Sequence, residues 1–389
     1  MPFFERWIAY SQYGFPFAIG GRATPVGRFR ALARRERAAA HPAPLRMLAH
    51  IVMAVAWPVG ALVTALKMQR ELCREAKPAG LPVLMDMYWL ALAHSIPPLE
   101  YKLYGFTDRA RRALMHDYVY WNDLPALAAL TRRLGADSRD VQDKSRFARL
   151  CAAHHLPHVE TLAVYERGRQ TFPADPFVPQ SEYLWSKALS LKGGAGGKKW
   201  HLEANGVRDE AGRLLPLDAF RIELARQDTI VQPFLDNHPV IGRLSNGRLA
   251  VLRVVTGMSP TGEAEPVATV LFLPHGECTT TVGAIVCGLD RGLIGKAVSP
   301  GGETVDRHPD TAATIAGLAV PFFDESVALA CRAHAQAFAR FAFLGWDIAL
   351  TASGPLLLET NAGWGALPHQ LLDGPLGRTA FSHLVSQYV

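Results

Sequence analysis

The chain has 389 residues, of which 49% are hydrophobic, and a formal net charge of +6. That length allows a sizeable core in two or three domains. The five cysteines are odd in number and lack paired metal-ligand spacing, which excludes a disulfide framework or zinc site and favours free thiols in a reducing compartment such as the cytoplasm.

The uneven placement of charge sets the N-terminal part of the chain apart. Residues 1–77 contain 12 Lys and Arg against 4 Asp and Glu, a net charge of +8, so the remaining 312 residues sum to −2. The basic character therefore belongs to the N-terminal segment, and the net charge says little about the rest of the chain.

This segment also contains the stretch "LAHIVMAVAWPVGALVTAL", nineteen uncharged residues from Leu48 to Leu66. The length approaches that of a membrane span, but His50, Pro58 and Gly60 weaken that interpretation, and basic residues on both sides give no topology. Two interpretations stay open: a helix or helical hairpin at an anionic membrane surface, with contact through residues 28–77, or a buried core helix with solvated arginines. A nucleic-acid-binding arm is disfavoured, because interleaved aromatic residues are lacking.

Residues 80–135 are expected to be mostly helical, with a break at Pro97-Pro98. Within them, "YVYWNDLPALAALTRRLGA" has apolar residues at helical spacing and ends at Gly135. The N-terminal third of the chain is therefore predicted as a helix-rich region.

From about Asp140 onward, short β-like runs alternate with turns: "VETLAVYE", "YLWSKALS", "TIVQPFL", "LAVLRVVTG" and "ATVLFLP". A helix is expected from Asp324 to Phe343, followed by a hairpin. No internal repeat is visible. The chain is predicted as an α+β body behind the helical region, with a boundary near residue 135.

The predicted hairpin, "GWDIALTASGPLLLETNAGWG", carries polar residues that a half-buried strand does not need. If Ala352, Ser353 and Gly354 form a three-residue loop, Thr351 pairs with Pro355 and Asp347 lies opposite Glu359. Glu359 and Asn361 then share one face, and the other face holds four residues: Ile348, Leu350, Leu358 and Thr360. Facing carboxylates suit Mg²⁺. The alternative is a solvated hairpin face.

A glycine-rich stretch, "WSKALSLKGGAGGKKW", places Lys187 in a strand ahead of four glycines: Gly193, Gly194, Gly196 and Gly197. Glycines let the backbone approach an anion closely, and Lys187, Lys198 or Lys199 can supply positive charge. The Gly-Lys-Ser/Thr ending of a Walker motif is absent. A phosphate-binding loop and a flexible hairpin tip are both compatible with the stretch.

The chemistry-bearing features occur in one order along the chain: Lys144, Lys187, the glycine-rich stretch, "VQPFL", Arg253, Asp347 and Glu359-x-Asn361. That order resembles the ATP-grasp superfamily. The finer pattern, with "RVVTG", "DRHPDT", "GWDIALTASGPLLLETNAGWG" and Gln370, is similar to its sugar-transfer-associated branch. The Trp-Asp-Ile and Glu-Thr-Asn pair is the most specific part of the resemblance.

The resemblance implies an ATP-grasp fold, in which two α+β subdomains clasp ATP. It divides the chain into three parts: a helical, basic and apolar region at 1–135, a lid subdomain with the glycine-rich loop at 136–230, and a C-terminal subdomain with the magnesium site at 231–389. Many ATP-grasp enzymes carry an N-terminal βαβ domain that helps to hold substrate, and residues 1–135 show no such pattern. The acceptor site therefore stays undetermined.

Binding roles follow from the same resemblance. Lys144 corresponds to a lysine near the α-phosphate, although taken alone it would more often be a surface lysine at a helix start. Lys187 corresponds to a lysine that bridges the phosphates and the adenine. The glycines from Gly193 to Gly197 correspond to a mobile loop over the β- and γ-phosphates. Gln232, Pro233 and Phe234 correspond to the hinge whose main chain recognises adenine.

The remaining implied roles concern ribose, phosphoryl transfer and metal. Asp236 or Asn237 is a candidate for ribose contact, with a turn role as the alternative. Arg253 corresponds to a basic residue near the transferred phosphate, although such an Arg is often only an ion-pair partner. The last set corresponds to the ligands of one or two Mg²⁺ ions, with the glutamate bridging: Asp347, Glu359 and Asn361.

The activity implied is that of an ATP-dependent ligase that joins a small-molecule carboxylate to an amine through an acyl phosphate, with Arg253 and Lys187 as catalytic residues. Polysaccharide assembly or natural-product biosynthesis would be its setting, at the inner face of the membrane or free in the cytoplasm. A phosphotransferase on the same fold and a non-catalytic, membrane-associated ATP-binding module are the alternatives. The sequence leaves the oligomeric state open.

Overall fold

The computed structural model describes residues 14–19, 24–39, 42–75, 77–189, 197–276, 281 and 283–389. Within those residues, helices precede two antiparallel sheets, which confirms the predicted α+β class. The helices are α1 (Pro25–Ala39), α2 (Ala43–Arg74), α3 (Leu81–His94), α4 (Pro98–Leu103), α5 (Arg109–Ala113), α6 (Pro125–Arg133), α7 (Arg139–Gln142), α8 (Lys144–Ala153), α9 (Leu217–Ala225), α10 (Pro239–Gly242), α11 (Phe323–Ala337), α12 (Leu367–Asp373) and α13 (Ala380–Ser386).

The first sheet has seven strands in the order β2-β1-β7-β3-β4-β5-β6, and the second has six in the order β11-β10-β9-β8-β12-β13. The strands are β1 (Ala163–Glu166), β2 (Arg169–Phe172), β3 (Tyr183–Ala188), β4 (Lys198–Glu203), β5 (Gly206–Asp209), β6 (Leu214–Leu215), β7 (Thr229–Pro233), β8 (Val251–Met258), β9 (Ala264–Leu273), β10 (Ile285–Asp290), β11 (Leu293–Val298), β12 (Phe343–Thr351) and β13 (Gly354–Asn361).

In the N-terminal region, proline and glycine residues lie at the ends of several helices. α3 ends at a left-handed Ser95, and α4 begins at Pro98, which confirms the break at Pro97-Pro98. After α6, Gly135 takes a φ of +67°, a conformation in which glycine has no Cβ penalty. The helices continue past residue 135 to Ala153 before the first strand begins.

A buried glutamine ties the helical region to the C-terminal end of the chain. The amide of Gln370, in α12, exchanges hydrogen bonds with the backbone of Val119: its Oε1 accepts at 2.8 Å and its Nε2 donates at 2.7 Å. Its Nε2 also donates to the Tyr104 hydroxyl at 2.9 Å, and its Oε1 accepts from Leu376 N at 3.1 Å. Gln370 therefore has a structural role.

The β-like runs of the sequence form β1, β3, β7, β8 and β9, as predicted. The helix expected from Asp324 to Phe343 is shorter: α11 ends at Ala337, and Phe343 already opens β12. Phe338 and Phe341 pack into the core instead, beside the fully buried Trp346. Burial of these aromatic rings overrides the local helical pattern.

The hairpin of β12 and β13 places Asp347 opposite Glu359, as predicted, but through a different register near the turn. Thr351 pairs with Gly354 and not with Pro355, and a bulge between Asp347 and Ile348 shifts the pairing by one residue. The bulge also changes which residues of β13 face the core. Leu357 packs in the core, whereas Leu358, predicted to point there, lines a cleft between the sheets.

Candidate active site

A cleft of about 260 Å³ lies between the two sheets. The first sheet contributes β3, β4 and β7 to its wall, and the second contributes β8, β9, β12 and β13. Seven residues that the sequence singled out for binding line it: Lys187, Lys199, Gln232, Pro233, Phe234, Asp347 and Glu359. The structure thus brings together residues that lie up to about 170 positions apart in the chain.

Lys144 reaches this group from the start of α8. The Asp143 carboxylate caps the helix by accepting from the backbone N–H of Ser145 and Arg146, at 2.8 and 3.1 Å, which fixes Lys144 at the first helical position. The lysine is buried: its Nζ donates to Leu189 O at 3.2 Å and lies 4.0 Å from Glu359 Oε2. The interpretation of Lys144 as a surface lysine is therefore wrong.

Lys187 stands on β3 with 8% of its surface exposed. Burial lowers the pKa of its ammonium, and the carboxylates of Glu359 and Asp347 oppose that change. A buried ammonium that faces a cleft gains from any further anion that binds there, because the anion replaces lost hydration. Lys187 is thus suited to bind a phosphate oxygen.

Arg253 and Asp347 are direct neighbours on β8 and β12, and their side chains form a buried, two-pronged ion pair. Arg253 Nη2 donates to Asp347 Oδ2 at 2.9 Å, and Nε donates to Oδ1. Burial raises the pKa of Asp347, while the guanidinium opposes that rise. Arg253 therefore acts on the cleft through Asp347 and does not itself line it.

Two facing carboxylates in the cleft are the candidate ligands for magnesium. Glu359 lies opposite Asp347, and Asn361 lies two residues farther along β13, outside the cleft lining. No cluster of three or more His, Cys, Asp or Glu side chains that could hold a metal occurs among the residues described. A magnesium ion here would depend on two carboxylates plus phosphate and water oxygens, which is its usual environment at nucleotide sites. Both oxygens of Asp347 accept hydrogen bonds from Arg253, whereas Glu359 has a single ion-pair neighbour among the described residues, Lys144 Nζ at 4.0 Å. The Glu359 carboxylate therefore has fewer close contacts than that of Asp347.

The segment expected to form the hinge, Gln232 to Phe234, lies at the end of β7. Gln232 is buried in the cleft wall, and the backbone N–H of Phe234 donates to Tyr183 O at 3.1 Å. Asn237 does not line the cleft, and its amide is used within the turn. Its Nδ2 donates to Arg248 O at 2.6 Å, and its Oδ1 accepts from Ala250 N at 2.8 Å. These contacts favour the turn role of Asn237 over contact with ribose.

Three of the four glycines in the expected mobile loop, Gly193, Gly194 and Gly196, lie outside the described residues. Gly197, the fourth, precedes β4 and packs against the indole of Trp185 in the cleft wall. A Cβ at position 197 would come within 2.1 Å of Trp185 Cζ2, far inside van der Waals contact. Glycine is therefore required at 197 for space.

Replacing Gly197 by alanine should raise the KM for ATP about tenfold, because the added methyl displaces the Trp185 indole from its position in the cleft wall. Steady-state ATP hydrolysis measures the effect. The matched control is Gly295→Ala in β11, where the nearest neighbour of the added Cβ is a backbone oxygen 3.9 Å away. A similar KM for both variants would show that the indole is not part of the nucleotide site.

Other lining residues were not expected from the sequence, among them Trp185, Arg248 and Phe272. Trp185 could have been found, because it lies two positions before Lys187 on one strand and shares its face. Lys199 lies over the Phe234 ring, with Nζ 3.9 Å from the centroid. Arg248, in the loop before β8, and Phe272, in β9, reach the cleft through tertiary contacts that the sequence does not reveal.

The two antiparallel sheets with a cleft of lysines and carboxylates between them have the architecture of the ATP-grasp fold. A family described as sugar-transfer associated ATP-grasp matches residues 134–380. The chain belongs to that sugar-transfer-associated ATP-grasp family, and the match leaves the N-terminal helices outside it. Comparison with curated proteins finds no match by sequence.

Several solved structures resemble the chain weakly. The L-amino acid ligase from Bacillus licheniformis is 10% identical with a TM-score of 0.33, over 66% of this chain and 45% of that one. The ATP-grasp ligase PsnB, complexed with minimal precursor, is 17% identical with a TM-score of 0.37, over 73% and 75%. D-alanyl-alanine synthetase A from Vibrio cholerae is 12% identical with a TM-score of 0.36, over 64% of each chain. The chain thus spans less than half of the Bacillus ligase.

Proposed function

We propose that the protein is a carboxylate–amine ligase that activates its carboxylate substrate with ATP as an acyl phosphate. The observation that carries this proposal is the composition of the cleft. It combines buried cations and two facing carboxylates with an apolar wall, and its described lining residues include no cysteine, serine or histidine. Such a site can position reactants and stabilise phosphate charge, but it offers none of these nucleophiles for a covalent enzyme intermediate.

The cleft has an aromatic part and a charged part, and this division supports one placement of the nucleotide. The adenine would lie against the aromatic part, formed by Trp185, Phe234 and Phe272, near the hinge main chain. The phosphates would lie toward Lys187 and Lys144. Three buried cations, with Arg253 as the third, face two carboxylates there, so the five side chains leave an excess of one positive charge for an anionic ligand.

The carboxylates would hold magnesium, which when bound would neutralise charge on the phosphate oxygens. Asp347 and Glu359 would share this role, with Asn361 beside them on β13. Arg253 fixes the orientation of Asp347 by gripping both of its oxygens. In this arrangement Arg253 is a positioning residue, and direct contact with the transferred phosphate would require the ion pair to open.

The reaction proceeds in two steps. A carboxylate oxygen of the substrate attacks the γ-phosphorus of ATP; the new O–P bond forms as the bond to the β-phosphate oxygen breaks, and ADP leaves. The amine then attacks the carbonyl carbon, phosphate leaves with the electron pair of the C–O bond, and the amine proton passes to solvent. Lys187 and Lys144 would bind the phosphate oxygens throughout.

The proposed substrates follow from the branch of the family. A sugar acid joined to an amino compound would fit an enzyme associated with sugar transfer, and a small natural-product amide is the alternative. The proposed place of work is the cytoplasm, where ATP is available and the four described cysteines would stay free thiols.

Trapping with hydroxylamine tests the proposed function. Full-length protein is incubated with ATP, magnesium and a panel of sugar acids and amino acids, with hydroxylamine as a general nucleophile. We expect ADP release together with a hydroxamate of one carboxylate, because hydroxylamine intercepts an acyl phosphate. A stable phosphorylated product that forms without any amine would show a phosphotransferase, and the absence of ADP with every carboxylate would favour a non-catalytic module.

A further inference from the structure

The outer face of α2 is apolar and exposed. The helix has 32 residues, so it is about 48 Å long at 1.5 Å per residue. Its exposed apolar residues recur at helical spacing along one stripe: Leu48, Ile51, Val55, Val59, Leu62 and Leu66. Their exposed fractions range from 37% at Leu66 to 67% at Val55. A stripe of this length exceeds the scattered apolar exposure that is normal for a soluble protein surface.

The opposite face of α2 is firmly attached to the protein. Trp57 and Ala61 are fully buried against α3, and Trp57 Nε1 donates to Ala91 O at 3.0 Å. Toward the end of the helix, Met68 and Leu72 join the core of tyrosines and Phe106 around α4. The stripe is therefore a fixed surface of the folded protein, and only 28% of the most apolar window of the helix is buried.

The charges around the stripe have one sign. The sequence has no acidic residue between Glu36 and Glu71, while Arg46 precedes the stripe and Lys67, Arg70 and Arg74 follow it. Glu71 lies at the C-terminal end of the helix, and its carboxylate is paired with Lys102 Nζ at 2.8 Å. An apolar stripe with basic residues at both ends complements a lipid surface in which anionic headgroups cover apolar acyl chains.

A membrane-spanning orientation and a second copy of the chain fit this surface less well. By length and composition, α2 is long and apolar enough to cross a membrane. However, its inner face carries a packed protein body, which a bilayer core would not admit without desolvating the polar groups of that body. Two copies that met along the stripe would bring basic ends against basic ends in either orientation, because both ends of the stripe are basic.

We propose that the exposed stripe of α2 docks the protein flat on a bilayer surface that contains anionic lipid. The apolar side chains enter the boundary between headgroups and acyl chains, and the basic residues at the two ends contact the lipid phosphates. This inference does not depend on the reaction at the cleft, because it rests on residues outside the family match. Docking would keep the ATP site near a membrane-bound substrate or product.

Vesicle flotation tests the docking. Full-length protein is mixed at low salt with vesicles of phosphatidylcholine alone or of phosphatidylcholine with phosphatidylglycerol. We expect flotation with the anionic vesicles and at least tenfold weaker binding for Val55→Glu. Arg70→Glu should weaken binding about fivefold or more, since each basic residue near an anionic surface contributes a factor of that order. High salt should weaken the binding of the wild type.

The matched control is Ile222→Glu in α9, which introduces the same charge at a residue that is 65% exposed, close to the 67% of Val55. It should float like the wild type. Equal flotation of Val55→Glu and wild type would overturn the proposal. So would a wild type that stays with the soluble fraction, or that forms a dimer in analytical ultracentrifugation which Val55→Glu dissociates. ATP turnover by Val55→Glu without vesicles should be unchanged, which separates docking from the proposed reaction.

Discussion

Replacing Glu359 by glutamine should lower ATP turnover at least a hundredfold and leave the fold intact. The change removes the charge of the carboxylate that faces Asp347 and lies 4.0 Å from Lys144 Nζ, where phosphate charge would be balanced. The Glu359 side chain is 18% exposed and lies beside a like-charged neighbour. We therefore expect the free energy of unfolding to change by no more than about 1 kcal/mol.

ADP release and urea denaturation of the same preparation measure the two effects. Glu325→Gln is the control, because Glu325 is an exposed glutamate in the first turn of α11, outside the cleft. It should keep the turnover and stability of the wild type. Near-normal turnover of Glu359→Gln would remove Glu359 from the proposed metal site.

The pairing of Asp347 with Glu359 shows how far the sequence can predict this fold. The pairing was predicted from a three-residue turn, whereas the structure has a tighter turn and a bulge, and the two differences cancel at Asp347. Alternation along a strand is visible in a sequence, but a bulge depends on packing across strands. For that reason Leu357 was not recognised as the core residue and Leu358 was not recognised in the cleft wall.

The same limit applies to the site. The lysines and carboxylates could be identified by their order, because that order resembles a known family. Their contacts could not be, since Arg253 and Asp347 are 94 residues apart and meet only because β8 and β12 are neighbours. Sequence also gives no burial, which is why Lys144 looked like a surface residue. Local patterns specify elements, while the neighbours of a strand within a sheet are set by the whole fold.

Stability and catalysis should be lost together in Asp347→Asn, in contrast to Glu359→Gln. If the two carboxylates were metal ligands and nothing more, removal of either would leave the fold intact. The structure shows that Asp347 also neutralises the buried guanidinium of Arg253, which is 8% exposed. Removing one partner of a buried ion pair leaves an uncompensated charge, so we expect a loss of about 3–5 kcal/mol in the free energy of unfolding.

The buried pair of Arg30 and Asp123 provides the control for this last prediction. Arg30 Nε donates to both oxygens of Asp123 at 3.1 Å, and the pair lies in the helical region, away from the cleft. Asp123→Asn should lose a similar free energy of unfolding while keeping its ATP turnover per folded molecule, whereas Asp347→Asn should lose both. If the urea midpoint of Asp347→Asn equals that of the wild type, Arg253 does not depend on Asp347, and the ion pair cannot be what orients that carboxylate.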